Sequence, residues 1–191
     1  MSKRDGRIPA AVAWKVAERL RERLAPTCAQ FEVAGSLRRQ KPMVGDVDIV
    51  CVPILEEPPG MLPGLGHAEP VAFTREVDAI VQGSNGAISY EVNGEAIKRL
   101  TIRLKDGTRI AADIYVTRDP EQFPALLLIR TGSAWHNAWL SGLARDQGMQ
   151  LGSDGLKRGD QRVPCATEAD IFAELGLGYR EPPVREYDEA R

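Results

Sequence analysis

Cysteine and histidine are scarce in this sequence: three cysteines and two histidines among 191 residues. Cys28, Cys51 and Cys165 lie far apart with no C-x-x-C spacing, and His67 and His136 are equally isolated. That odd, scattered set excludes a disulfide framework and a structural zinc site. It reads as three small buried hydrophobes in a reducing, cytoplasmic compartment. Long apolar runs are absent too. Stretches such as residues 125–129 are far too short to cross a bilayer, so no membrane association is expected. The opening residues, MSKRDGRIPAAVAWKV, are charged and amphipathic and offer no uninterrupted apolar core for a secretory leader. Large net charge is missing as well: the formal balance is −2, so bulk charge does not mark a nucleic-acid binder.

What is present is an ordinary globular composition, 43% apolar and 27% charged, in a length that suits one domain or two small lobes. The charge is unevenly spread. Residues 1–50 carry ten Lys/Arg against six Asp/Glu, and residues 165–191 carry three against seven. A basic N-terminal part can face phosphates while an acidic tail stays solvated. Apolar residues at Val12, Val16, Leu20 and Leu24 predict an amphipathic helix over 8–24, with Pro9 in its first turn and Pro26 ending it. Strands are predicted at 31–34 and 46–52, with the turn-prone GSLRRQKPMVG between them. Residues 56–70 hold four prolines and read as a loop, followed by a helix at 73–81. Strands at 87–92, 96–104 and 109–116 follow, with Asn93-Gly94 and residues 105–108 as turns. The pattern then changes to a helix at 134–146, a hairpin within 149–163, and a helix opened by the capping sequence Thr167 to Asp170. The expected fold class is α/β (α+β): a mixed sheet with helices covering one face, and a small α+β C-terminal lobe beyond about residue 129.

Asp46 and Asp48 are the sharpest chemical feature. Two apart in a strand, they project from the same face. Two like charges so close raise a pKa unless a cation lies between them. Oxygen ligands without histidine or cysteine suit a hard ion such as Mg²⁺. The plain alternative is a pair of solvated acids. Eleven residues before Asp46 stand Gly35 and Ser36, then Arg38 and Arg39. Glycine permits close backbone approach, a serine hydroxyl and neighbouring N–H groups bind phosphate oxygens, and an arginine fork suits phosphate. Asp113, inside RIAADIYV, is a third acid that an adjacent strand could bring to the same site.

The run VAGSLRRQKPMVGDVDIV resembles the catalytic segment of the DNA polymerase X family, and PEQFPALLLIRTGSAWHN, LARDQGM and ATEADIFAELGLGYREPPVRE agree with it independently. The resemblance covers residues 7–187. It implies a nucleotidyltransferase palm at residues 1–128 and a C-terminal nucleotide-binding, thumb-like lobe at 129–191. It further implies two Mg²⁺ or Mn²⁺ ions held by Asp46, Asp48 and Asp113, with Asp113 nearest the primer 3′-hydroxyl. Gly35, Ser36 and Arg39 match triphosphate-binding residues, with Arg7 a further candidate. Thr131, Gly132 and Ser133 match the turn beside the nucleotide sugar, and Asn137 the side chain reading the minor-groove edge of the base. The implied activity adds a dNMP from a dNTP to a primer 3′-hydroxyl on primer–template or gapped DNA, as a monomer, in short-gap repair.

Departures accompany the match. This sequence offers no residues for an N-terminal lyase domain or helix-hairpin-helix segments, so lyase activity is not expected of it. Ile129-Arg130 stands where animal members have Tyr-Phe, Ser141 where an arginine touches the template, and Ala111 where an arginine precedes the third acid. The expectation is retained catalysis with weaker template use, by a distributive and salt-sensitive enzyme. Two other readings stay open: a template-independent nucleotidyltransferase using another acceptor, and a non-catalytic DNA-binding repair module.

Overall fold

The computed structural model describes residues 6–57 and 68–186. In chain order it places β1 (Ile8–Pro9), α1 (Ala10–Leu24), β2 (Cys28–Val33), the single-turn α2 (Gly35–Arg38), β3 (Met43–Val44) and β4 (Asp46–Pro53). Then come α3 (Val71–Gln82), β5 (Ile88–Asn93), β6 (Ile97–Arg103), β7 (Arg109–Val116) and α4 (Phe123–Thr131). The C-terminal part holds α5 (Ala134–Asp146), β8 (Gln150–Gly152), β9 (Gly155–Arg158), β10 (Gln161–Arg162) and α6 (Glu168–Glu174).

Five strands form one mixed sheet in the order β2-β4-β7-β6-β5. Only the β4–β7 pair is parallel. The apolar run Val47, Ile49 and Cys51 alternates with the acids and faces α1 and α3. There it packs with Val16, Leu20 and Leu24 of α1, Phe73 and Val77 of α3, and Leu100, Ala112 and Ile114 of the neighbouring strands. Burying each such aliphatic side chain stabilises the fold by about 1.5–3 kcal/mol.

Helices do not confine themselves to one face. Val50 and Val52, on the acid-bearing side of β4, also need cover, and Phe123, Leu126 and Leu127 of α4 supply it. The opposite side of α4 contributes Ala125 and Leu128 to a separate C-terminal core with Leu140, Leu156, Ile171 and Phe172. One helix therefore belongs to two cores, and the expected boundary at residue 128 falls inside it. The residues expected as a plain turn at 35–45 include α2 and β3, short elements that leave no period in sequence. Pro9 pairs in β1 just before α1 instead of filling its first turn. Of the 56–70 loop, residues 58–67 lie outside the described residues, as does His67. Its two ends meet in a bridge between Glu56 and Glu69. Cys51 is buried, while Cys28 and Cys165 are half-buried.

Candidate active site

Strand register assembles the acids. In the parallel β4–β7 pair Asp48 lies directly beside Asp113, and Asp46 precedes Asp48 by two on the same face. Antiparallel pairing on the other side of β7 puts Arg99 opposite Asp113. The Asp113 carboxylate, only 3% exposed, accepts two hydrogen bonds from the Arg99 fork, from Nε to Oδ1 and from Nη2 to Oδ2, both at 2.6 Å. Tyr115 donates a third at 3.3 Å. Arg130, whose partner sequence could not name, lies 4.0 Å over the Tyr115 ring as a cation–π contact.

Electrostatics at the pair are unbalanced. Burial pushes the Asp48 carboxyl up to about 7, with the charges of Asp46 and Asp113 adding to it, while Arg39 and Arg130 oppose the rise only partly. Burial also raises the Tyr115 hydroxyl to about 12, helped by the Asp48 and Asp113 charges. A carboxylate that resists ionisation beside two others is what a divalent cation relieves. The donor set fits such an ion: three aspartates, all oxygen, suited to Mg²⁺ or Mn²⁺. Gly35 fits it as well. At φ +61° it stands against Asp48, and a Cβ there would overlap the Asp48 carboxylate. Among the described residues no three ligating groups already converge on one point, in keeping with an Asp113 whose two oxygens are both taken by Arg99.

Beyond the acids opens a cavity of ≈ 630 Å³, lined on one side by Gly35, Ser36, Arg39, Asp46 and Asp48, and on the other by Gly132, Ser133 and Asn137. Arg7, Lys41 and Arg130 add positive charge to its wall. Every residue that sequence reading assigned to nucleotide binding lines this cavity except Thr131, which lies immediately behind it. Thr131 is fully buried and accepts a hydrogen bond from Arg38 at 2.8 Å. Gly132 has φ +73°, and a Cβ there would stand 3.1 Å from Arg39 Nη1. The Gly132–Ser133 peptide is cis. Ser133 Oγ donates to the Arg185 carbonyl at 2.8 Å and caps α5 by accepting from the His136 backbone N–H. Asn137 Nδ2 donates to the Ile129 carbonyl at 2.7 Å, which fixes the amide plane and leaves its Oδ1 buried without a hydrogen-bond partner.

Two arginines singled out together in sequence part company. Arg38 is committed to structure. Its fork binds both oxygens of Glu168 at 2.8 and 2.7 Å, and Glu168 also accepts from fully buried Arg185 at 2.8 Å. Burial alone would raise the Glu168 carboxyl, but these two guanidiniums outweigh it and hold it below the usual range. Tyr179 donates to the same carboxylate at 3.3 Å, so the YREP stretch supports Glu168, the residue that ties the C-terminal part to α2. Arg39, in contrast, points into the cavity. Its Nε donates to Glu186 at 2.6 Å and its Nη1 to the Thr131 carbonyl, while Lys41 reaches Glu186 at 3.3 Å. Arg99 and Glu186 went unnoticed in the sequence, because both act through partners that only the fold supplies. His136 is fully buried between Trp139 and Phe172. Burial, with Arg185 and Arg180 nearby, pulls it down to about 4, so it is a neutral core group.

Residues 126–186 match the family model described as DNA polymerase beta thumb. DNA polymerase lambda of Rattus norvegicus is 33% identical over 171 residues, 80% of this chain and 28% of that protein. The chain is similar to members of the DNA polymerase X family. A second curated relative, the DNA polymerase/3'-5' exonuclease PolX of Bacillus subtilis, is 25% identical over 96% of this chain and 29% of its own length. The chain thus spans under a third of either relative. Its fold matches the crystal structure of Leishmania infantum polymerase beta in a ternary P/T complex, with TM-score 0.76 and 24% identity, over 96% of this chain and 78% of that one.

Proposed function

We propose that this chain carries the polymerising centre of a DNA polymerase: it adds a dNMP from a dNTP to a primer 3′-hydroxyl and fills short gaps during repair. The observation that carries this reading is the register of β4 and β7, which sets buried Asp113 beside Asp48, itself on the wall of a cavity shared with Arg39, Lys41 and Arg7. The cavity brings the carboxylates of Asp46 and Asp48 together with the cations Arg39, Lys41 and Arg7, the two kinds of group that a metal-bound triphosphate needs. Asp46, Asp48 and Asp113 would hold two Mg²⁺ or Mn²⁺ ions, which supply Lewis-acid stabilisation of the attacking and leaving oxygens. Asp113 would receive the 3′-hydroxyl and draw off its proton as the oxygen attacks the α-phosphorus, a role that requires the Arg99 fork to release at least one of its oxygens. The bond from that phosphorus to the bridging oxygen breaks. Pyrophosphate departs toward Arg39, Ser36 and the backbone N–H groups at Gly35, which offset its charge. Gly132 and Ser133 would hold the sugar, and Asn137, its amide fixed by the Ile129 carbonyl, stands at the same cavity wall to meet the base.

Extension of a labelled primer on one-nucleotide-gapped DNA, with each dNTP separately and Mg²⁺ or Mn²⁺, tests the reading. Addition of the templated nucleotide alone, abolished in Asp48→Asn, is expected. Addition regardless of template would replace template-directed synthesis with a terminal-transferase activity. No incorporation with either metal would overturn the polymerase reading.

A further inference from the structure

The open face of the sheet continues past the acids. In β7 the residues that share Asp113's side are Ala111 and Arg109, and in β6 the matching ones are Arg99, Thr101 and Arg103. The pairing is unbroken, so Arg103 lies directly opposite Arg109, at the end of the strands away from Tyr115. Both arginines are exposed. Neither guanidinium makes a hydrogen bond or ion pair among the described residues. Together with Ser89, Thr101, Glu91 and Gly86 they line a separate cavity of ≈ 320 Å³. Its one acid is not theirs, because Glu91 accepts a hydrogen bond from Thr101.

Like charges directly opposite across antiparallel strands destabilise a sheet. Arg99 on the same sheet face, and Arg118 and Arg162 elsewhere, each have a carboxylate partner. Two facing, unpaired guanidiniums are therefore a cost that an anion would relieve. Their position says which anion. Arg109 precedes Asp113 by four residues on one strand, about 13 Å along it at strand rise. Between them lies only Ala111 on that face, and Gly45, beside Asp46 on the next strand, opens onto empty space. One strand of duplex DNA presents a phosphate every ~3.4 Å of axis. On the polymerase reading, a primer with its 3′-end at Asp113 that follows this strand would pass Ala111, itself 7% exposed, and bring upstream phosphates to the exposed Arg103 and Arg109.

We propose that Arg103 and Arg109 form a phosphate clamp for the primer strand a few nucleotides upstream of its 3′-end. The clamp rests on the polymerase reading above for its direction. It provides a grip on DNA within the catalytic sheet itself, held by charge and so independent of base sequence.

Binding of a fluorescent primer–template is to be measured by anisotropy over a salt series, for wild type, the double variant Arg103→Ala/Arg109→Ala, and Arg103→Lys/Arg109→Lys. Each lost phosphate contact should reduce the slope of log K against log salt by about 0.9, so the alanine pair should lose between one and two units of slope while the lysine pair retains most of it. The alanine pair should melt no lower than wild type, because it removes a like-charge contact. A methylphosphonate placed in the primer two to five nucleotides from the 3′-end should weaken wild type and leave the alanine variant unaffected. Unchanged affinity and slope in the alanine pair, or sensitivity to template-strand substitutions alone, would overturn the clamp. A wild-type chain that binds primer–template with these signatures yet incorporates no nucleotide would sink the polymerase reading and leave the clamp standing.

Discussion

Asp48 links the site's electrostatics to the stability of the whole chain. Its folded pKa near 7 lies above its ordinary 3.8, so between those values the folded chain holds a proton that the unfolded chain has released. The contribution of this group is fully present below the lower value and is lost as pH rises through the upper one. Metal-free protein should therefore lose stability between pH 4 and 8 through this residue, and Mn²⁺ should restore it. Asp48→Asn should abolish incorporation yet melt higher than wild type at pH 8 without metal, by about 2–4 °C for each kcal/mol gained. Calorimetry with and without chelator reads this directly, and an unchanged melting temperature would contradict it. Glu186 gives a second expectation. It holds Arg39 and Lys41 where a triphosphate would lie, so Glu186→Gln should lower the KM for dNTP a few-fold, while a rise would mark it as an aid to nucleotide binding. The paired aspartates were legible in sequence because a period of two places them on one face whatever the fold. Arg99 was not, since its meeting with Asp113 depends on which strands pair and in what register. Arg38 misled for the same reason: an arginine beside a glycine-serine turn looks like a phosphate ligand until its fork is found on Glu168.

The cap at Thr167 was readable as an element because both halves of its capping box lie within four residues, and the structure places both hydrogen bonds. The helices at α1, α3 and α5 were equally plain, each carrying an apolar face at regular spacing. The single turn α2 was hidden, as four residues contain barely one period. So was the double role of α4, because FPALLLI is an unbroken apolar run and its sequence does not say that two different cores claim its sides. Glu168 at the start of α6 holds Arg38 of α2 and buried Arg185 together. Glu168→Ala should cost about 3–5 kcal/mol, because it leaves two guanidiniums without their carboxylate. A urea titration reads it, and a loss under 1 kcal/mol would mean that water replaces the carboxylate without penalty.

At the scale of the molecule, sharing α4 ties the sheet to the C-terminal core. Heating should give one cooperative transition with matching calorimetric and van't Hoff enthalpies. Two separated transitions would mean that the 128/129 boundary marks independently melting units. The mixed sheet and the C-terminal lobe followed from the order of strands and helices. The parallel pairing at the sheet's centre did not, since β4 and β7 are far apart in sequence and nothing local in either announces the other.

That pairing has a consequence for how the chain gains its chemistry. Asp48 and Asp113 become neighbours only when two remote segments have found each other, with a helix and two further strands threaded between them. Contacts of such long sequence separation form late and slowly, because loop closure costs entropy before they return any stabilisation. In a refolding experiment helical signal should reappear first, and the capacity to bind a divalent ion should return only with the slowest phase that completes the sheet. No partly folded form of the chain would hold a working pair of aspartates, so ion binding reports completion of the fold.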